Sequence, residues 1–258
     1  PNDTVFRRTI TDRQPVTFSS NVGYQISGAE VADLNFKYNQ NDAPEELDRV
    51  ITDYLNSPFS IKSQFEGISN ESDFWELGGD YEHTFRGGNR WRGIFIKKRK
   101  KDDRTRERIH LNKNNQNDIF LNTFNQYEEE IFRTSYSLNL SQNQDLEFGV
   151  ERAQTTLESS LRLGLLPDGS MASEYGGLTP ANSSNAVVQE VRYEGFAIHN
   201  WQFNDRMSLE STLIYEESTI KQSGDISKER DFSFIRPKVD YRFDITPSLQ
   251  LRATIEKD

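Results

Sequence analysis

The stretch Phe234–Glu256, FIRPKVDYRFDITPSLQLRATIE, decides the fold. Ile235, Pro237, Val239, Tyr241, Phe243 and Ile245 share one parity, and Arg236, Lys238, Asp240, Arg242 and Asp244 share the other. After Thr246-Pro247-Ser248 the alternation resumes, with Leu249, Leu251, Ala253 and Ile255 on one side and Gln250, Arg252, Thr254 and Glu256 on the other. Successive strand side chains point to opposite faces, so the pattern predicts an antiparallel hairpin. One of its faces is apolar and rich in rings; the other is charged.

The same unit recurs upstream. Val16, Phe18, Val22, Tyr24 and Ile26 lead through Ser27-Gly28-Ala29-Glu30 into Ala32, Leu34, Phe36 and Tyr38. Trp75, Leu77, Tyr81, His83 and Phe85 lead through Arg86-Gly87-Gly88-Asn89, a strong hairpin signal, into Trp91, Gly93 and Phe95. Phe132, Thr134, Tyr136 and Leu138 pass through Ser141–Gln144 to Leu146, Phe148 and Val150. The apolar parity then flips to Leu157, Leu161 and Leu163, which predicts a bulge near Glu151–Ala153. A fourth hairpin runs from Val191, Tyr193, Ala197, Trp201 and Phe203 through Asn204-Asp205-Arg206 to Met207, Leu209, Leu213 and Tyr215.

Between these hairpins lie polar segments that read as loops: Asn39–Ser72, Asp102–Gln126, Gly164–Gln189 and Gln222–Arg230. Within the first, Pro44-Glu45-Glu46-Leu47 and the spacing of Leu47, Val50, Ile51, Tyr54 and Leu55 predict a short amphipathic helix. The acidic stretches Asp42–Asp48 and Glu128–Glu130 and the Asn-rich Asn112–Asp118 read as hydrated loop. Nothing there matches an EF-hand spacing.

Composition agrees with a two-faced sheet. Of 258 residues only 34% are hydrophobic, yet 12% are aromatic, and the mean hydropathy is -0.81. A disordered chain would lack the rings, whereas a sheet with one wet face shows both features. No run of about 18 apolar residues exists, which excludes a transmembrane helix. The hydropathy signal of a transmembrane β-barrel is weak in each strand, so a barrel stays open. The net charge of -10 disfavours nucleic acid as a partner. Without cysteine there is neither a disulfide framework nor a thiolate metal site.

About ten strands in about five hairpins, with short connections alternating with long ones, set the architecture. The expected fold is all-β: an antiparallel up-and-down meander forming part of a transmembrane β-barrel, with short periplasmic turns and long extracellular loops. Tyr24, Phe85, Trp91, Trp201, Phe203, Tyr241 and Phe243 cluster near the short turns, as an interfacial aromatic girdle would. Ordinary ring pairing in a soluble sheet is the plainer alternative. Arg192, Glu194, Glu210, Lys238, Asp240, Arg242 and Arg252 lie on the charged parity and are expected to face a hydrated lumen or a polar plug.

Lys97, Lys98, Arg99, Lys100, Lys101, Arg104, Arg106 and Arg108 form one dense basic run. Placed at the outer rim, it would meet lipopolysaccharide phosphates or an anionic ligand; a solvated extension is the alternative. Of the three histidines, His83 and His199 fit interfacial positions. His110 sits in a loop with no partner at metal spacing. No H-E-x-x-H, G-x-S-x-G, P-loop or G-x-G-x-x-G pattern occurs, so no catalytic, metal or cofactor site is expected.

The string RPKVDYRFDITPSLQLRATIEKD resembles a hairpin common in TonB-dependent outer-membrane receptors, with an Arg-Pro start, a Thr-Pro turn and an L-x-L-R-A strand. WELGGDYEHTFRGGNRWRGIFI and FAIHNWQFNDRMSLESTLIY are similar in style. The resemblance implies bacterial outer-membrane localisation and uptake of a scarce nutrient such as a ferric siderophore, vitamin B12 or a glycan. It implies a 22-stranded barrel around a plug domain that contacts the TonB complex. The chain opens at Pro1 and stops at Lys257-Asp258 inside an alternating strand, with no recognisable plug or TonB box. Residues 1–258 are therefore expected to be a partial barrel domain, with the plug and the remaining strands outside it. Two other readings remain: a soluble all-β binding or structural protein, and an outer-membrane barrel enzyme in which His110 would be the first residue to test.

Overall fold

In the computed structural model, residues 3–55, 58, 60–111, 116–165 and 172–257 are described. They form one antiparallel sheet of twelve strand segments: β1 Asp3–Thr11, β2 Gln14–Ser27, β3 Glu30–Asp42, β4 Glu45–Asp53, β5 Ser60–Thr84, β6 Arg90–His110, β7 Gln116–Ser141, β8 Gln144–Leu165, β9 Thr179–Asn204, β10 Met207–Gly224, β11 Lys228–Thr246 and β12 Leu249–Glu256. A 3₁₀ turn, Ser173–Tyr175, precedes β9. From β5 onward every strand pairs with its sequence neighbours, so the chain is a meander and the sheet is not closed.

Twelve segments behave as ten rods. The lower half of β5 pairs with β3 and the upper half with β4, while β2 and β1 continue the pattern outward. The two interruptions, at Asp12-Arg13 and Ala43-Pro44, lie side by side, and Asp12 N–H donates to the Pro44 carbonyl at 3.1 Å. Proline cannot donate to the ladder, which accounts for the break there.

The five expected turns are present at Ser27–Glu30, Thr84–Arg90, Ser141–Gln144, Asn204–Met207 and Thr246–Leu249. In the second, Gly88 takes φ 81°, and its N–H donates to the Phe85 carbonyl at 2.8 Å. Only glycine enters that left-handed region without steric cost. Each turn is displaced from the one before. Arg90 lies opposite Ser137, and the chain runs on to Ser141 before turning; Gln144 lies opposite Trp201, and the chain runs on to Asn204; Met207 lies opposite Phe243, and the chain runs on to Thr246. An offset of constant sign is the stagger that tilts strands against a barrel axis.

Several expectations about the polar segments are corrected. The helix expected after Pro44 is strand β4, because Glu45–Asp53 finds a ladder partner in Ser60–Ile68. Most of Asn39–Ser72 and Asp102–Gln126, and much of Gly164–Gln189, are strand as well. So are Asp42, Glu45–Asp48 and Glu128–Glu130, which had read as hydrated loop. Of the Asn-rich stretch, residues 112–115 lie outside the described residues, and Gln116–Asp118 belong to β7. β5, β7 and β9 reach 25, 26 and 26 residues, whereas a hydrocarbon core needs about 9–11. The surplus is a wall of sheet continuing beyond the apolar band, where both faces are wet and the alternation signal disappears.

No bulge interrupts Glu151–Ala153: the register with β7 and β9 is continuous there. The parity flip has another cause. Past Arg152 the ring-bearing face leaves the apolar band, and Leu157, Leu161 and Leu163 lie on the opposite face, with Leu163 opposite Leu121.

Candidate functional site

Tracing the register across the sheet assigns every strand residue to one of two faces. The outward face carries Tyr24, Trp91, Trp201, Phe203, Tyr241 and Phe243, with Phe85 just beyond the end of β5. Rings near the short turns touch in series: His83–Phe85 at 4.5 Å, Phe85–Tyr136 at 5.7 Å, Tyr136–Phe148 at 6.0 Å and Trp201–Phe203 at 4.1 Å between centroids. The Trp91 indole N–H donates to Thr134 Oγ1 at 2.8 Å. A second row, Trp75 opposite Tyr38, Phe132, Tyr193 and Tyr215, marks the upper limit of the outward apolar band. Immediately above it, on the same face, come Asp73, Lys97, Glu130, Arg152 and Glu217. That upper row was not recognised in the sequence, since it is assembled from strands whose offsets only pairing reveals.

The inward face holds the core. Within strands the buried residues, Gly164 excepted, all lie on this charged side, as a sheet curling toward it requires. Phe196, 6% exposed, closes over Gly149, where an added Cβ would meet the Phe196 ring at 2.6 Å and the Thr134 carbonyl at 2.3 Å. The Arg133 guanidinium stacks on the Phe196 ring, 4.1 Å from its centroid.

Around this pair runs a ladder of charges that alternates across strands. Glu151 accepts from Arg192 Nη2 at 2.9 Å and lies 3.8 Å from Arg133 Nη1. Arg236 Nη2 reaches both Glu194, at 3.1 Å, and Glu216, at 2.5 Å. Ser218 Oγ donates to Glu190 at 2.6 Å. Toward the short turns Arg252 grips Asp240 through Nε and Nη2, at 2.9 and 2.6 Å, and Arg242 pairs with Asp244 at 3.0 Å. Glu210, Asp240, Arg242 and Arg252 line a polar cleft of about 570 Å³. All seven residues expected on the charged parity share this face; Lys238 and Glu210 make no ion pair within 4 Å among the described residues.

The basic run is divided by the pleat. Lys97, Arg99 and Lys101 point outward, while Lys98, Lys100, Arg104, Arg106 and Arg108 point inward. It is a solid strand rather than an open cluster, and most of its charge is compensated. Lys97 pairs with Glu130, Lys98 with Glu129, Arg99 with Asp73 at 3.1 Å and Lys100 with Asp102 at 2.8 Å. Lys101 stands over the Phe124 ring, 5.5 Å from its centroid.

At the far end of the inward face lies a buried polar cluster that the sequence had hidden in loops. Glu66, 2% exposed, forms an ion pair with Arg106 at 2.7 Å and lies 3.8 Å from Arg49. Asp118 is the extra residue of a bulge, since Arg108 pairs with Ile119 and Ile109 with Asn117. The bulge aims its carboxylate at two inward residues. Arg108 Nε and Nη2 donate to it, both at 2.9 Å, and His110 Nε2 lies at 2.7 Å. His110 is thus partnered at the end of β6, not isolated in a loop. Burial raises the Asp118 carboxyl pKa, but the hydrogen bonds and charge of Arg108 outweigh it and hold the pKa below the ordinary value. The same hydrogen bond raises the Arg108 pKa.

A tilted, antiparallel sheet with a belt of rings outside and a ladder of charges inside is a stretch of outer-membrane β-barrel wall. The family model "TonB dependent receptor-like, beta-barrel" matches residues 7–257, and the chain belongs to that family. No curated protein matches it. Among solved structures it is similar to the ferric citrate transporter FecA in its unliganded form, with TM-score 0.57, 10% identity, and coverage of 98% of this chain and 43% of that one. It is similar to the copper transporter OprC, with TM-score 0.55, 11% identity, and coverage of 98% and 46%. It is also similar to the alcaligin outer-membrane receptor FauA of Bordetella pertussis, with TM-score 0.50, 12% identity, and coverage of 98% and 42%. The chain therefore spans less than half the length of these neighbours, which are receptors and transporters rather than enzymes.

Proposed function

We propose that the chain forms part of the wall of an outer-membrane receptor that takes up a scarce nutrient with energy supplied through TonB. Residues 1–258 lie wholly within the barrel domain on this reading, and the plug domain and remaining strands belong to other parts of the full protein. The observation that carries it is the inward ladder of ion pairs beneath an outward belt of rings. Charges lining a wet interior cost little and can exchange partners with a plug that has to shift, which an apolar wall could not offer.

The inward cations beyond the apolar band, Lys98, Lys100, Arg104 and Arg106, would meet an anionic nutrient on its way in. Outward Lys97, Arg99 and Lys101 would face lipopolysaccharide phosphates. The structural neighbours are named for alcaligin, ferric citrate and copper. Such varied cargo supports a nutrient class, such as ferric siderophores, vitamin B12 or glycans, over any single ligand.

The test is growth of a strain lacking the full gene, complemented with it, on limiting iron chelates, vitamin B12 and glycans, with and without functional TonB. Growth on one nutrient that needs both the gene and TonB is expected. Growth independent of TonB on every source, with the full protein recovered in the soluble fraction, would overturn the reading in favour of a soluble all-β protein.

A further inference from the structure

The leucines that carry the parity flip on β8 have no part in the function proposed so far. Leu161, Leu163 and Leu165 share the inward face, with Leu121 opposite Leu163 and Ile119 opposite Leu165. The five form an aliphatic strip two strands wide and about 13 Å long. Leu165 is 41% exposed, and none of the other four is buried. Leu161 stands about 30 Å along β8 beyond Arg152, where the outward apolar band ends. Membrane hydrocarbon therefore cannot cover the strip, which faces the wet mouth of the wall.

On one side the strip is bordered by a column of cations. Arg104 lies in the row of Leu161, with Thr123 between them, while Arg106 lies beside Leu121 and Arg108 beside Ile119. Glu66 holds Arg106, and Asp118 holds Arg108. Arg104 makes no ion pair within 4 Å among the described residues, and the next inward residue down β6, Asp102, is taken by Lys100 at 2.8 Å. On the other side β9 brings Asn182 and Ser184, which carry no charge.

An aliphatic strip between an available guanidinium and neutral polar groups matches one kind of solute: an anion bearing a saturated chain. The chain gains from burial against the leucines, and the anionic head from charge-assisted hydrogen bonds to Arg104. β7 turns its rings Phe120 and Phe124 to the other face, so the strip gives no stacking platform to a sugar or a catechol. We infer that Arg104 and the strip of Ile119, Leu121, Leu161, Leu163 and Leu165 form a seat for an amphipathic nutrient, an anion with an aliphatic chain. The inference rests on the proposed receptor and narrows its nutrient to that chemistry.

The experiment uses the full receptor in phosphatidylcholine nanodiscs, dialysed to equilibrium against radiolabelled decanoate, with protein-free nanodiscs subtracting what partitions into lipid. Saturable decanoate binding in excess of the empty discs is expected. Acetate, which lacks the chain, and decanol, which lacks the charge, should each be held about tenfold more weakly. Arg104→Gln and Leu163→Asn should each weaken decanoate binding about tenfold, and Arg104→Gln should leave decanol binding unchanged. Ser160→Asn, outward beside Leu161, should bind as wild type. Arg104→Gln keeps the test alive should Leu163→Asn misfold. No excess over empty discs, as when a plug or loop of the full protein covers the strip, overturns the seat. Unchanged decanoate binding in the folded variants overturns it too. Fractionation of cells expressing the gene separates the two claims: absence from the outer membrane sinks the receptor reading, whereas presence without chain-dependent binding sinks only the seat.

Discussion

The lower and upper halves of the same strands follow different rules. Near the short turns most strands have one apolar and one polar or charged face, and side chains such as Trp91, Phe148, Leu213 and Tyr241 all point outward. Beyond Asp73, Lys97, Arg152 and Glu217 both faces carry polar residues, and the ladder runs on with equal regularity. Hydrophobic periodicity is a report on solvent, not on backbone. Where lipid covers one face the period of two appears; where it does not, the strand persists on hydrogen bonds, ion pairs and a few buried apolar residues such as Leu47 and Ile68.

The largest expected break in this comparison comes from a charge on the outward face. Leu213→Arg, within the apolar band, should destabilise the full receptor refolded into lipid by about 2–4 kcal/mol, whereas Thr219→Arg, outward and higher on the same strand, should cost about 0–1 kcal/mol. Denaturant titration of both in one bilayer gives the difference. Equal costs would show that the outward face does not change solvent along β10.

The next effect lies on the inward face of the upper wall. Glu66→Gln leaves Arg106 and Arg49 without their shared carboxylate. Both arginines keep some contact with water, which reduces the penalty to about 1–2 kcal/mol. Faster amide exchange confined to upper β5 and β6 is the expected signature; a uniform change along the strands would contradict a local role.

The smallest effect is set by pH. The Asp118 carboxyl is held below its usual range by Arg108, against the opposing push of burial. A carboxyl with a depressed folded pKa stabilises the folded state above its unfolded value of about 3.9, and that contribution disappears as pH falls through the folded value. Amide exchange in Arg104–His110 should therefore quicken, relative to the lower strands, between mildly acidic and strongly acidic buffer. Asp118→Asn should show fast exchange already at neutral pH and little further change on acidification.

The legibility of the sequence followed the same division. The five turns, the charged parity of Arg192 through Arg252 and the outward rings near the turns were readable because lipid on one side and water on the other impose alternation. Phe234–Glu256 alone carried both faces and the Thr246-Pro247-Ser248 turn. The stretch around Pro44 misled because apolar residues at helical spacing also satisfy a strand when a neighbour offers a ladder, and Ser60–Ile68 does so. Glu66, Asp118 and Arg49 were invisible for a related reason: their meeting depends on register between strands and, for Asp118, on one extra residue in a bulge.

By itself the sequence determined the all-β meander, its two faces and its resemblance to an outer-membrane receptor barrel, because side-chain alternation is a local property. Only the tertiary structure decided how far the strands extend, that the basic run from Lys97 to Arg108 splits between two faces, and which carboxylate meets which guanidinium. Those facts are set by pairing between segments tens of residues apart, and a shift of one residue in that pairing would exchange every inward side chain for an outward one.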